Sequence, residues 1–480
     1  MISISVNERK WRFAYRFEMG LALLFLIFSL LMHVGGVESN QVSALGAGIY
    51  FLGAMYVFLL MVTSGGVLAP IAWYVLGSGI FFGLGSALWG LLPGLYPRVD
   101  LGVLPGDLLE INLLNSGSIV VVLMAARLSL GKRLPAARLA VKPRISLRSI
   151  YSVLMIVTLL LVLIEYYFFP VAENFLVRSV QAKAKYIIWM ALLVTGALWH
   201  ELRGHLRLLG GIIVVLVLVK AILTFSKTDV LYPLICMAAG YWLTNRESTK
   251  VIIPMIAFLT LFSMVLVPYV QQGRSANSYD AASNSLGDRL AILGSGLSSS
   301  SSESWGSFLP PLRRVAHGPY QRYLINEYQM GKAGSSLADF WVALVPRVLW
   351  PAKPNVTRFG TELYDQYNRM TGARSALAPT YSAEAYWNYG VLGVLAISAL
   401  LGLQFGWLTK CWFRSIRGRS SSYLIIAVPA AFSALSVESW TAATHFGGFI
   451  TLIVIWVVAA VIIQNIGGRN SSRLQHTVSS

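Results

Sequence analysis

Apolar runs of about 20 residues recur along the chain, and this feature limits the fold more than any other. A run of that length crosses a bilayer as an α-helix. Only 12% of the 480 residues are charged and 56% are hydrophobic, whereas a soluble domain carries about 25% charged residues. The roughly ten-residue alternating segments of a membrane β-barrel are not found in the sequence. The sequence therefore predicts an all-α polytopic membrane protein.

The basic residues between the apolar runs predict the orientation of the spans. They cluster before the first span, after spans four, six, eight and ten, and in the C-terminal tail. All these segments lie on one side if both termini are cytoplasmic, as the positive-inside rule requires. The net charge of +18 is thus explained by basic residues that set the orientation of the spans, and no nucleic-acid partner is expected. The twelve predicted spans cover residues 17–37, 42–62, 68–90, 108–130, 150–170, 184–200, 208–226, 229–244, 251–270, 385–409, 421–440 and 446–466.

One long outer connection separates the ninth span from the tenth. The predicted division is nine spans (1–270), a large periplasmic loop with short helices (271–384), and three spans with a cytoplasmic tail (385–480). Loops longer than about 12–15 residues are uncommon unless they have a function or structure of their own. Within the loop, the amphipathic segment 335–350 predicts a short helix at the membrane interface, with its tryptophans at headgroup level.

Four ionisable residues lie at or near the predicted outer ends of spans. Lys220 and Lys227 are seven residues apart, so they share one face of a helix. Glu165 and Glu438 lie near the outer ends of spans five and eleven. A central lysine costs about 2.5–3.5 kcal/mol and is treated as functional by default, although a lysine near a helix end also extends into water. Lys220, the deeper lysine, is the stronger functional candidate.

The large loop is rich in cations and contains a histidine. Eleven Lys or Arg stand against eight acids, among them Glu384. The sequence RRVAHG places Arg313 and Arg314 within four positions of His317, and histidine is the usual proton acceptor near neutral pH. Solvated loops also carry charges of both signs without a chemical role, and this alternative stays open for each arginine.

No metal or nucleotide site is predicted. The chain has no DxD, no His/Cys cluster with ligand spacing, no P-loop and no GxSxG, which are the usual signatures of such sites. A lipid-bound diphosphate at the outer face would then be held by Arg and Lys, which bind phosphate oxygens and stabilise a charged leaving group. The expectation is an enzyme that uses an activated donor, with neither metal nor cofactor.

Three stretches resemble the bacterial O-antigen polymerase family, the Wzy-type polymerases of oligosaccharide repeat units. They are FSKTDVLYPL (225–234), PRVLWPAKP (346–354) and SAEAYWNYGVLGVLAISALLG (382–402). The last is similar to the family pattern of an acidic residue, an aromatic and Asn-rich turn, and a Gly-xx-Gly that opens a helix. The layout of twelve spans with one large outer loop late in the chain is similar as well.

The resemblance implies a GT-C-like, metal-independent glycosyltransferase in the bacterial inner membrane. Such enzymes move a growing glycan from undecaprenyl diphosphate to a sugar hydroxyl of a new undecaprenyl-diphosphate-linked repeat unit, for lipopolysaccharide or exopolysaccharide biosynthesis. The implied partners are this lipid-linked donor and acceptor, membrane lipid, and a chain-length regulator and flippase of the same pathway.

The resemblance also implies roles for individual residues. The acceptor proton would go to Glu384 or His317, between which the sequence does not decide, and Arg314 would act beside them on the diphosphate. The prolines of 346–354 would stiffen the backbone and hold the two cations of this stretch at phosphate depth. The predicted diphosphate-binding residues are Lys220, Lys227, Arg274, Arg347 and Lys353.

Other functions stay open. An O-antigen ligase uses the same donor and passes the glycan to lipid A core or to protein. A lipid-linked oligosaccharide flippase belongs to a different class and has short loops, with charge along a central cavity; the long loop here argues against it. A passive scaffold of an export complex would leave Lys220 unexplained.

Overall fold

The apolar runs form helices in the computed structural model. It describes residues 7–92, 106–131, 147–167, 175–202, 204–223, 227–244, 315–338, 340–345, 350, 354, 358–368, 377–416, 423–457 and 461. Within these residues every regular element is helical, so the predicted all-α class is confirmed there.

Long helices come first in the chain, and shorter ones appear near its middle. Several are extended or interrupted by π-helical turns, in which the backbone hydrogen bonds span one residue more than in an α-helix. In chain order they are α1 (Glu8–Val34), α2 (Asn40–Met61, extended by a π-turn Val62–Gly66), α3 (Pro70–Ser78, extended by a π-turn Gly79–Leu84), α4 (Gly85–Leu91), α5 (Asp107–Leu130), α6 (Leu147–Tyr167), α7 (Phe175–Leu198), α8 (His205–Leu223), α9 (Lys227–Thr244), α10 (Gly318–Gln329), α11 (Phe340–Leu344), α12 (Arg358–Asn368), α13 (Tyr381–Ile416), α14 (Leu424–Leu435) and a π-turn Thr441–Gly447 that leads into α15 (448–457).

Five helical stretches in the described part of the chain are long and apolar enough to cross a membrane. Many of their outward side chains are large and apolar: Leu24 and Leu52 are about two-thirds exposed, and an apolar surface of this extent fits a lipid surrounding. The protein is therefore a helical membrane protein. The total of twelve spans stays a prediction, since predicted span nine lies outside the described residues. The five stretches are Glu8–Val34, Asn40–Gly66, Pro70–Leu91, Asp107–Leu130 and Tyr381–Ile416.

Local signals explain where these helices begin. The side chain of Asn7 accepts the Lys10 amide proton at 3.0 Å, and Ser39 accepts that of Val42 at 3.3 Å. Each bond satisfies an amide that has no partner within its own helix. Gly106 precedes α5 with φ of +89°, a conformation that glycine adopts without strain.

The chain divides into two compact units. One comprises residues 1–4, 141–311 and 459–480, and the other comprises residues 5–140 and 312–458. We call the first the four-helix unit, since its described residues form α6 to α9, and the second the larger unit. The division predicted from the sequence separates membrane spans from the large loop, whereas these two units are separated by their internal contacts. The predicted division therefore stays a prediction.

In the four-helix unit, glycines lie where α7 and α9 pack together. A Cβ at Gly240 would overlap the carbonyl of Leu193, and one at Gly196 would overlap that of Met237. Helices α7 and α9 therefore touch backbone to backbone. Tyr151 and Thr195 meet through their hydroxyls at 3.3 Å in the same core.

In the larger unit, α5 and α13 pack with similar closeness. A Cβ at Gly402 would overlap the carbonyl oxygen of Val122, and one at Gly406 would overlap that of Ala126. The two helices run parallel here, because the residue numbers rise together along both. Small residues at such contacts are the usual means by which membrane helices approach each other.

Replacing Gly402 with alanine is expected to lower stability. The added methyl group meets backbone atoms that cannot rotate away, and such overpacking costs about 1–3 kcal/mol. The control is Gly117→Ala on α5, where the nearest atom to a new Cβ is a Leu26 methyl at 4.0 Å. Thermal unfolding of the purified protein in detergent should give a lower Tm for Gly402→Ala and an unchanged or higher Tm for Gly117→Ala. Equal Tm values would contradict the close packing of α5 and α13.

Candidate functional site

Helix α13 is broken near its start. Tyr389 has φ −142° and ψ 18°, and Gly390 has φ 61° and ψ −151°, so the helical path is interrupted for two residues. The positive φ requires glycine at 390. The break separates a short arm (381–388) from a long arm (391–416).

The short arm folds back along the long arm. In a straight helix Tyr381 and Gly402 would lie about 30 Å apart, at a rise of 1.5 Å per residue. Instead Gly402 packs on Val122 of α5, and the Tyr381 hydroxyl donates to Ser118, one turn earlier on the same helix, at 3.1 Å. The first residue of α13 therefore lies inside the membrane-spanning part of the larger unit.

A second helix stops inside the same unit. Helix α14 ends at Leu435, whose carbonyl lies against Gly77 of α3, well within the spanning stretch Pro70–Leu91. The chain then turns and runs back, because Trp456 near the end of α15 contacts Tyr423 at the start of α14 with ring centroids 5.9 Å apart. Irregular backbone at membrane depth is tolerated only where protein covers it.

The short arm of α13 and the turn after α14 meet at Glu384. The Tyr381 amide donates to the carbonyl of Val437 at 3.0 Å, and the Thr441 amide donates to Glu384 Oε2 at 2.6 Å. The hydroxyl of Ser336 donates to Glu384 Oε1 at 2.8 Å. We call this meeting point the junction; it consists of the short arm 381–388, the turn 436–441 and the segment 334–337.

Asn388 completes the junction one turn after Glu384. Its side-chain amide donates to Ser336 Oγ at 2.9 Å and to the Glu384 carbonyl at 2.8 Å, and its oxygen accepts the Leu337 amide proton at 3.1 Å. Glu384 is fully buried. Its carboxyl is therefore closed off from solvent.

Polar side chains continue from the junction into α5 and α10. Ser382 donates to Asn115 Oδ1 at 2.7 Å, and Asn115 Nδ2 donates to Gln321 Oε1 at 3.0 Å. The Tyr74 and Tyr381 hydroxyls are 2.8 Å apart. Within the membrane such groups have only each other as partners, so the network fixes the short arm against its neighbours.

His317 lies immediately before α10, and its ring is buried. It contacts Phe81 of α3 and Tyr320, with ring centroids 5.4 and 6.2 Å apart. Tyr320 belongs to the apolar cluster that also contains Ala383, the neighbour of Glu384. The two predicted proton acceptors therefore lie on one continuous stretch of packed residues in the larger unit.

Tyrosines of α10 and α12 form a half-buried aromatic surface in this cluster. The ring of Tyr367 contacts those of Tyr320 and Tyr323 at centroid distances of 4.9 and 5.6 Å. Burial, with a smaller contribution from the charge of Tyr320, raises the pKa of Tyr367 to about 12. Its phenol therefore keeps its proton at neutral pH and is available as a hydrogen-bond donor.

Arg322 of α10 is held by acids of α5. Its Nε lies 2.9 Å from Asp107 Oδ1, and its Nη1 pairs with Glu110, which also accepts from Gln329 at 2.8 Å. Two carboxylates thus neutralise this guanidinium. Its role in the fold is to fasten α10 to the start of α5.

The predicted diphosphate-binding residues fall largely outside the described part of the chain. Lys220 lies half-buried in the last turn of α8, in the four-helix unit. Lys227 begins α9, but its side chain is outside the described residues. The remaining predicted cations lie wholly outside them: Arg274, Arg314, Arg347 and Lys353.

No protein-family model, characterised protein or solved structure matches the chain. In the described residues no group of three or more His, Cys, Asp or Glu is placed to hold a metal ion. The network around Glu384 therefore stands on its own geometry as the candidate site.

Several residues of the junction and of the polar network beside it were not singled out from the sequence. Asn115 and Ser118 lie one turn apart in a predicted span. Two polar residues at that spacing in an apolar run indicate a polar contact on one face of the helix. Ser336 and Thr441 have no such signal, because their partners are distant in sequence. Of the predicted span-end acids, Glu438 lies in the turn 436–441, and the side chain of Glu165 is outside the described residues.

Proposed function

We propose that the protein polymerises undecaprenyl-diphosphate-linked oligosaccharide repeat units. The observation that carries this proposal is the position of Glu384. It is the acidic residue of the stretch that resembles the O-antigen polymerases, and it lies buried between the short arm of α13, the turn after α14 and Ser336. A buried carboxyl among hydrogen-bond donors is a frequent arrangement for acid–base work.

The proposed reaction is a glycosyl transfer without metal. A sugar hydroxyl of the new repeat unit attacks the anomeric carbon of the growing glycan, and the bond from that carbon to the diphosphate oxygen breaks. Undecaprenyl diphosphate leaves with the bonding electrons, stabilised by the predicted cations Arg314, Arg347 and Lys353. The hydroxyl proton passes to Glu384 or His317.

The proposed function implies a specific topology of the chain in the membrane. The proposed architecture is GT-C-like, with about twelve spans in the bacterial inner membrane, the 271–384 loop in the periplasm and both termini in the cytoplasm. Lys220, Lys227 and Arg274 would also bind the donor diphosphate. The lipid-linked donor and acceptor would meet at the outer face, beside a chain-length regulator and a flippase of the same pathway.

A deletion strain tests the proposal through the length of its glycan. We expect loss of the protein to leave single repeat units on the lipid carrier, and Arg347→Ala or Lys353→Ala to give the same result with normal protein levels. Long chains that fail to reach the core lipid would instead identify a ligase. Polymerisation by the purified protein that requires Mg²⁺, or full-length glycan in both variants, would contradict the proposal.

One observation favours a second candidate, a lipid-linked oligosaccharide flippase. Discontinuous helices that meet inside the membrane are typical of transporter binding sites, and the short arm of α13 and the end of α14 meet in this way. Accumulation of undecaprenyl-linked units on the cytoplasmic face of the deletion strain would support this candidate over the polymerase.

A further inference from the structure

Glu18 is a buried acid of the membrane-spanning helix α1 and lies outside the junction. It is on α1 and has no solvent exposure. Its Oε1 accepts the Tyr50 hydroxyl of α2 at 2.8 Å. Its Oε2 is also buried, and among the described residues it has no hydrogen-bond partner. An intramembrane acid is a functional candidate by default.

Among the residues that the structure describes, the titratable groups that act on Glu18 directly supply no positive charge. Tyr15 on its own helix, Tyr50 from α2 and Tyr74 from α3 are the titratable neighbours whose interactions reach it. From α5, Arg127 acts on Tyr15 and is itself exposed. An ionised carboxylate in this position would be desolvated with a single hydrogen bond, which is costly without a paired cation.

The hydroxyl groups beside Glu18 form a chain that can accommodate an added proton. Tyr50 lies 3.0 Å from Ser78, and Ser78 lies 3.0 Å from the carbonyl of Val75. Each hydroxyl has one hydrogen to donate. With a proton on Glu18, all three contacts are satisfied in one direction: from Glu18 to Tyr50, from Tyr50 to Ser78, and from Ser78 to Val75.

Loss of that proton reverses the chain. Tyr50 then donates to Glu18, and Ser78 turns to donate to Tyr50. Ser78 is one turn from Tyr74 on α3, and the Tyr74 hydroxyl meets that of Tyr381 at the start of the short arm. The reversal itself involves only the Tyr50 and Ser78 hydroxyls.

We propose that Glu18 is a proton-binding site in the membrane-embedded part of the larger unit, with the Tyr50–Ser78 pair as its reversible hydrogen-bond chain. The bound proton lies on a neutral carboxylic acid. The site is independent of the catalytic proposal, since none of its side chains belongs to the junction.

Reaction with a hydrophobic carbodiimide detects the protonated form of Glu18. The carboxylic acid adds across a C=N bond of the reagent to give a stable N-acylurea, with no leaving group. Peptide mass spectrometry of the full-length protein in lipid nanodiscs should find the adduct at Glu18 and not at Glu38, an exposed acid between α1 and α2. Labelling should fall by roughly tenfold for each pH unit above the titration midpoint.

Tyr50→Phe separates proton binding from simple packing. It keeps the carboxyl and removes the donor that favours its ionised form, so labelling of Glu18 should persist to higher pH than in the wild type. Infrared spectroscopy needs no reagent access: a protonated-carboxyl band at neutral pH should disappear in Glu18→Gln and shift in Tyr50→Phe. A spectrum without a band that depends on Glu18, or an unchanged pH dependence in Tyr50→Phe, would overturn the proposal.

Discussion

Glu384→Gln is expected to leave the protein folded and to abolish polymerisation. The glutamine oxygen still accepts the Thr441 amide proton, and its NH₂ group donates to Ser336 Oγ, so the junction keeps both contacts at a cost of about 1 kcal/mol. The amide accepts no proton from a sugar hydroxyl. The measurement pairs the Tm of the purified variant with the glycan length in a complemented deletion strain.

Glu384→Ala supplies the contrasting variant. It leaves the Thr441 amide without an acceptor and opens a cavity between the two broken helices, which together cost about 3–5 kcal/mol. We expect a clearly lower Tm as well as loss of polymer. If Glu384→Gln folds normally and still makes full-length glycan, the role of Glu384 is structural and His317 is the remaining candidate base.

Arg322→Ala is expected to be among the most destabilising single changes outside the spans. The Arg322 side chain is 18% exposed and that of Asp107 is 5% exposed, so the variant removes the cation from a nearly buried acid. Breaking such a pair costs about 3–5 kcal/mol. Because Arg322 fastens α10 to α5, the adjacent Gln321–Asn115 bond should loosen with it.

Lys332→Ala is the matched control for Arg322→Ala. Lys332 lies near the same helix and pairs with Glu327 at 3.6 Å, but its side chain is 66% exposed. An exposed pair contributes at most about 1 kcal/mol. Thermal unfolding should therefore give a large fall in Tm for Arg322→Ala and almost none for Lys332→Ala. Similar shifts for both would mean that Asp107 and Glu110 do not depend on Arg322.

The positions of the helices could be predicted from hydropathy because lipid-facing residues must be apolar over a fixed length. The helices around Glu18, Asn115 and Lys220 lie within or overlap predicted spans. The segment 335–350 was predicted as one short helix; α11 covers five residues of it, and the rings of Trp341 and Trp350 stack 5.6 Å apart.

The breaks were harder to predict. The Gly-xx-Gly pattern did indicate that a helix opens near Gly390, where the long arm begins. The short arm, YSAEAYWN, is more polar than the long arm, but this composition does not show that residues 381–388 turn back. That reversal depends on contacts between residues far apart in sequence, such as Tyr381 with Ser118. Glu18 was overlooked because one acid near the start of an apolar run hardly changes its mean hydropathy.

The turn after α14 affects how the topology of the C-terminal region can be measured. Twelve residues of helix span about 18 Å, which is less than the roughly 30 Å of a hydrocarbon core. The contact between Tyr423 and Trp456 brings the start of α14 close to the end of α15, as it would both in a re-entrant hairpin and in two complete crossings. A reporter fused to the C-terminus would give the same answer for two complete crossings and for this re-entry. Only cysteines introduced in the turn 436–441, probed from each side with a bulky charged thiol reagent, would distinguish the two.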